Sequence, residues 1–198
     1  DYPFYSSVIN EMLKVKFTLL EAKPSFTKEE VNTLAGEYQQ FLDSFPEYYT
    51  FHVVQDYATL LARFADKPQE AIDLLEKAIK EPVARRDFVG RSKLQLGDYF
   101  ILVDKGWEAS LIYTQVQKEF REDMLGEEAR FRDAKLAYYR GDFEWANIQA
   151  SVLKASTSEL IANDALYLSV LITENVPADS NYVPLERFAY ADQLMFRN

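Results

Sequence analysis

The chain has 198 residues, 48% of them hydrophobic and 15% aromatic, with 6 Gly, 7 Pro and no Cys. That composition excludes a disordered chain, and the missing thiols exclude disulfides, thiolate metal sites and cysteine nucleophiles. A formal charge of −10 repels phosphate backbones, so nucleic acid is set aside as a partner, and no apolar run is long enough to span a membrane.

The predicted elements are helices throughout, in five pairs with apolar residues at helical spacing. In the first pair, residues 3–46, Thr27-x-x-Glu30 reads as a capping box, and Leu34, Tyr38 and Phe41 line the helix behind it. The second pair, 47–81, runs from Ala58 and Ala62 through Asp66-Lys67-Pro68 to Ala71, Leu75 and Ala78. In the third, 82–121, Gly97 and Ala109 lie 12 apart and are small enough to let two helices cross closely; Ala134 and Ala146 repeat the device in the fourth, 122–157. The fifth, 158–197, carries Pro184, Phe188 and Ala191, with Ser156-x-x-Glu159 reading as a capping box at its entry. Gly106 and Gly141 are expected at helix reversals that need positive φ. Pro46, Pro82 and Pro184 are expected near helix starts, where a missing N–H is harmless.

The anchors Ala71, Ala109 and Ala146 are 38 and 37 residues apart (109 − 71 and 146 − 109). A repeat at that interval predicts an all-α fold: an α–α superhelix of five hairpins, forming one domain over residues 1–198.

On these residues the chain resembles the tetratricopeptide repeat. Leu96, Gly97, Phe100, Ala109 and Tyr113 match its pattern best, Ala134, Gly141, Asp142, Phe143 and Ala146 form a second match, and Ala71, Leu75, Ala78 and Pro82 form half of a third. The pattern's opening Trp is missing, and the interval exceeds the usual repeat of about 34 residues. The stretch Glu37–Pro46 looks like hairpins of bacterial envelope proteins such as the lipoprotein subunit of the β-barrel assembly machinery. The run Leu153–Leu166 is similar to segments of long exported bacterial repeat proteins. With a start at Asp1 rather than Met, the chain reads as a fragment of such a protein, with the periplasm or cell envelope favoured over the cytoplasm.

The resemblance implies a non-catalytic scaffold or adaptor that holds a segment of a protein partner in a concave groove lined by first helices. Carried over position by position, the groove residues are Arg63, Phe64, Arg91, Asp98, Phe131, Lys135, Tyr138 and Tyr139. For both tyrosines the competing reading is packing against the adjacent hairpin. The family's carboxylate clamp needs Lys and Asn where this chain has Asp56, Leu94 and Phe131, so chaperone tails are not the expected guest. An alternative is weak homo-oligomerisation through an exposed terminal hairpin bearing Phe188, Leu194, Met195 and Phe196.

No catalytic residue, metal or cofactor is expected. His52 is the lone histidine and reads as a helix-start residue, since neither HExxH nor GxSxG occurs. The glycines form no phosphate cradle. Glu29/Glu30 and Glu127/Glu128 read as charges favoured at helix starts, which leaves a carboxylate-based, glycosidase-like α/α enzyme as the unfavoured alternative. Arg140-Gly141-Asp142 reads as a turn between helices rather than a recognition tripeptide.

Overall fold

Ten α-helices make up the regular structure of the described residues, together with one 3-10 turn and one π turn, and no strand occurs among those residues. A computed structural model describes residues 2–156, 158–175 and 181–197, with backbone only at 2 and 3; the expected pair boundary at 157 lies outside them. The helices are α1 (Tyr2–Glu21), α2 (Lys28–Ser44), α3 (His52–Thr59), α4 (Pro68–Ala78), α5 (Arg86–Leu102), α6 (Gly106–Glu119), α7 (Met124–Tyr139), α8 (Phe143–Leu153), α9 (Glu159–Glu174) and α10 (Val183–Arg197). The chain divides within α5 into two compact units, Asp1–Tyr99 and Phe100–Asn198.

In the first unit α1 packs on α2 and α3, and α3 packs on α4. Leu13, Phe17 and Leu20 of α1 recur at helical spacing and are buried, as are Tyr38 and Leu42 of α2, Val54 and Ala58 of α3, and Ala71, Leu75 and Ala78 of α4. The Tyr38 ring stacks on Tyr57 with centroids 5.4 Å apart, and its hydroxyl donates to the Leu13 carbonyl at 3.3 Å. After α2, Phe41, Phe45, Tyr48 and Phe51 cluster with centroids as close as 4.9 Å. That cluster tightens the chain into the 3-10 turn Pro46–Thr50, which proline opens with its preset φ. Between α3 and α5 the contact is polar. Gln55 Nε2 donates to Ser92 Oγ at 2.9 Å, Gln95 Nε2 donates to Thr59 Oγ1 at 2.9 Å, and the Thr59 and Tyr99 hydroxyls are 3.1 Å apart. A part-buried network of this kind favours one register, because a slip would strand donors that are now paired.

In the second unit α7 packs on α6 and α8, α8 packs on α9, and α10 lies on α7. Ala109, Ala134, Ala146 and Ala150 are wholly buried; methyl side chains let neighbouring backbones approach. The core continues through Tyr138, Phe143, Leu153, Ile161 and Leu168 to Leu185 and Ala189 of α10. At its far end α10 sets the Phe196 ring 6.1 Å from that of Tyr139, and Arg197 pairs with Asp104 at 3.2 Å.

Helix ends follow the expected chemistry in part. Thr27 caps α2 with both halves of the box in place. Glu30 also takes a bond from Lys23. That bond, then the Thr27 amide, hold its carboxyl down at about 2 from the ordinary 4.5. At α9 the expectation is corrected: Ser158, not Ser156, is the cap and accepts from the Ile161 amide, while Ser156 Oγ donates to Glu127 at 2.6 Å. Gly141 has φ +80 as expected, but Gly106 does not; it opens α6, and Asp104 carries the positive φ two residues earlier. Asp66 does the same before α4. At both Asp104 and Gly141 the chain closes with paired reversed bonds. Lys105 N–H donates to Phe100 O with Asp104 N–H to Ile101 O, and Asp142 N–H donates to Ala137 O with Gly141 N–H to Tyr138 O. This is the Schellman arrangement, which tolerates Asp in place of Gly at a small cost. The three left-handed residues are 38 and 37 apart (104 − 66 and 141 − 104), matching the alanine interval.

Candidate functional site

The predicted groove residues fall on both units and are not equally accessible. In the first unit, Arg63 and Phe64 lie in the π turn Leu60–Phe64 that ends α3, where the Ala65 amide reaches back to Leu60 O. The extra residue in a π turn rotates the side chains that follow. It directs the half-buried Phe64 into an aromatic group, 5.9 Å from Phe17 and 5.2 Å from Phe26 by ring centroids. Arg91 is exposed on α5, and Asp98, two turns on, is half-buried. Asp56 of α3 is half-buried too. Burial raises its carboxyl above the usual range and Glu21 adds to the shift, against His52 and Lys14. Phe64 thus packs within the first unit, and of these residues Arg91 alone is exposed.

In the second unit the expectation is corrected. Tyr138 is fully buried and Tyr139 nearly so, because α10 covers them: Phe196 lies against Tyr139, and the Tyr138 phenol is pushed up to about 12 by burial, with Asp192 of α10 adding to it. Phe131 is partly buried against the same core. Lys135 is half-buried, with its ammonium 5.6 Å from the Tyr139 ring centroid. Packing takes these aromatics, so they line no open groove. Phe196 is partly buried against the same core, whereas Phe188 and Met195 point outward at 53% and 79% exposure.

Two features of the second unit are absent from the periodicity. Trp107 and Leu111 of α6 and Trp145, Ile148 and Val152 of α8 are exposed; their spacing marks a second apolar stripe on each helix. Arg140 lies over the Trp107 ring, 3.7 Å from its centroid, Gly141 makes the reversal, and Asp142 caps α8 by accepting from the Trp145 amide. The turn thus employs all three residues of the Arg-Gly-Asp triplet. A cleft of about 500 Å³ beside α6, α7 and α8 gathers Lys118, Arg121 and Arg130 around Glu127 and Ser156. Its cations lie within the single stretch 118–130, and Ser156 joins them from beyond α8.

The chemistry set aside stays local. His52 opens α3, exposed, with Nδ1 donating to Gln55 Oε1 at 2.8 Å. Glu127 lies in the first turn of α7. Among the described residues no three His, Cys, Asp or Glu side chains gather as metal ligands, and no helix is long and apolar enough to cross a membrane.

Asp133 of α7 gives a pH prediction. Burial raises its carboxyl above 3.8, opposed by the Ser110 hydroxyl that donates to it at 2.7 Å. A raised value in the folded chain means folding favours the neutral acid. Stability is then lost as pH climbs from the ordinary carboxylate value through the folded one. Asp133→Asn keeps an oxygen for Ser110 and removes the ionisation, so it should raise Tm at neutral pH. The gain should vanish in acid; a Tm difference that is the same at both pH values would refute this reading.

Comparison of the chain with protein-family models, curated proteins and solved structures gives no match.

Proposed function

We propose that the five helix pairs form a superhelix of the tetratricopeptide-repeat type, and that the chain is a non-catalytic scaffold holding a segment of a partner protein. The observation that supports it most is a shared interval. Ala71, Ala109 and Ala146 are all wholly buried, and the left-handed residues Asp66, Asp104 and Gly141 recur at the same 38 and 37 residues. A repeated reversal with a repeated close crossing is what a stacked helical repeat requires.

The surface of the first unit around Phe64, Arg63, Arg91 and Asp98 is the proposed contact. Aromatic and Arg side chains anchor interfaces more than other residue types do. The guest it fits is a segment with an apolar anchor beside an acidic group that meets Arg91. Peptides selected from a displayed library against the whole chain would be measured on wild type, Arg91→Glu and Arg91→Glu/Phe64→Ala. The expected result is affinity weakened at least about tenfold, or roughly 1.4 kcal/mol, with the helical signal unchanged. Equal affinity for all three would refute this surface.

A further inference from the structure

Helix α1 carries a buried apolar face and, beside it, an apolar stripe that stays about half exposed among the described residues. Leu13, Phe17 and Leu20 point into the first unit and are at most 5% exposed. Beside that face Tyr5, Val8, Met12, Val15 and Leu19 are 59%, 50%, 45%, 57% and 61% exposed; the Tyr5 ring lies 6.4 Å from Phe45, Tyr5 and Met12 border a groove against α2, and Ala22 beyond them is exposed as well. Their spacing alternates three and four without a break. That is the 3.5-residue period of a coiled-coil seam rather than the wider stripe of a helix facing a globular core. At 1.5 Å per residue the seam runs for about 25 Å.

We infer that α1 pairs with α1 of a second copy of this chain, in parallel, along Tyr5, Val8, Met12, Val15 and Leu19. The inference is independent of the groove around Phe64. Area supports it first. With Phe4, 78% exposed beside the seam, the face presents on the order of 500 Å², at about 150–250 Å² for each whole aromatic side chain and less for the aliphatic ones. Two such faces come to about 1,000 Å², the size of a weak, reversible interface, and a bare patch of about 500 Å² is at the upper end for a single soluble chain. Charge supports it second. The seam is edged by Glu11 on one side and Lys16 on the other; in a parallel pair each Glu11 meets Lys16 of the other copy, and this happens twice by symmetry. Lys16 donates to both carboxylate oxygens of Glu37 at 2.6 Å, which leaves its ammonium one donor for a partner at the seam's edge. An antiparallel pair with the same layers sets Glu11 near Thr18 and Lys16 near Ile9, and gains no ion pair.

Sedimentation equilibrium of the whole chain should give twice the chain mass at high micromolar concentration. Val8→Lys/Val15→Lys should weaken association on the order of a hundredfold with helical signal and Tm unchanged, whereas Phe188→Glu/Met195→Glu on α10 should leave it intact. The chain has no Cys, so Leu19→Cys introduces a lone thiol that oxidises across a parallel seam to a disulfide-linked pair. A wild-type chain of single mass overturns the inference, as does a pair indifferent to the lysines. An associated Leu19→Cys variant that fails to cross-link overturns the parallel arrangement.

Discussion

Gly126→Ala is expected to destabilise the second unit by about 3 kcal/mol, the upper end of what overpacking a closed site costs. A Cβ added at Gly126 would lie 2.1 Å from the carbonyl oxygen of Phe120 and 2.8 Å from its carbon. Both are backbone atoms, so no rotamer change makes room. The crowding arises because α6 ends at Phe120, whose amide still bonds Val116 O, and Asp123 turns back on the Phe120 carbonyl at 3.0 Å before capping α7. Gly106→Ala is the control, since its Cβ would meet only the Leu136 Cδ1 at 3.7 Å. It should be neutral or slightly stabilising through the unfolded chain. Urea unfolding of the two variants reads the contrast; equal midpoints would mean that the α6–α7 turn shifts freely.

Tyr38→Ala should cost the first unit about 3–5 kcal/mol, as large aromatic truncations in closed cores do. Its ring is fully buried and lies parallel to Tyr57 within 3°, and its hydroxyl donates to Leu13 O of α1. Tyr38→Phe removes that bond and keeps the ring, so its loss should be about 1 kcal/mol. Burial also drives the phenol well above its usual pKa, which keeps the bond intact through alkaline pH. Equal losses in the two variants would locate the stabilisation in the hydroxyl rather than in the stacking.

What the sequence made legible is what local chemistry dictates. Thr27 and Glu30 declare a helix start in four residues, and Gly141 declares a reversal between two apolar runs. Ala71, Ala109 and Ala146 are wholly buried, as their place on the apolar faces predicts. The misses have a common origin in what lies across from a residue. Nothing near Gly126 in sequence announces the Phe120 carbonyl above it. Asp104 takes positive φ although Gly106 is two positions away, because the Schellman bonds fix which residue must turn, and Asp tolerates that conformation. Ser158 displaces Ser156 as a cap because Ser156 is drawn to Glu127. For the candidate site the difficulty is sharper. Tyr138 and Tyr139 lie on an apolar helix stripe just as Val8 and Val15 do, yet α10 covers the first pair while the second is about half exposed. Periodicity reports that a face is apolar; only tertiary contacts report whether it is taken.

The last helix carries a kinetic consequence. Arg197 reaches Asp104 and the Leu102 carbonyl across 93 and 95 positions of chain, while α6, α7, α8 and α9 each meet a sequence neighbour. Contacts between neighbours close short loops, whereas those of Arg197 return nothing until the intervening helices are ordered. The C-terminal segment is therefore the last piece of the second unit to dock during folding and the first to be released when any helix beneath it loosens.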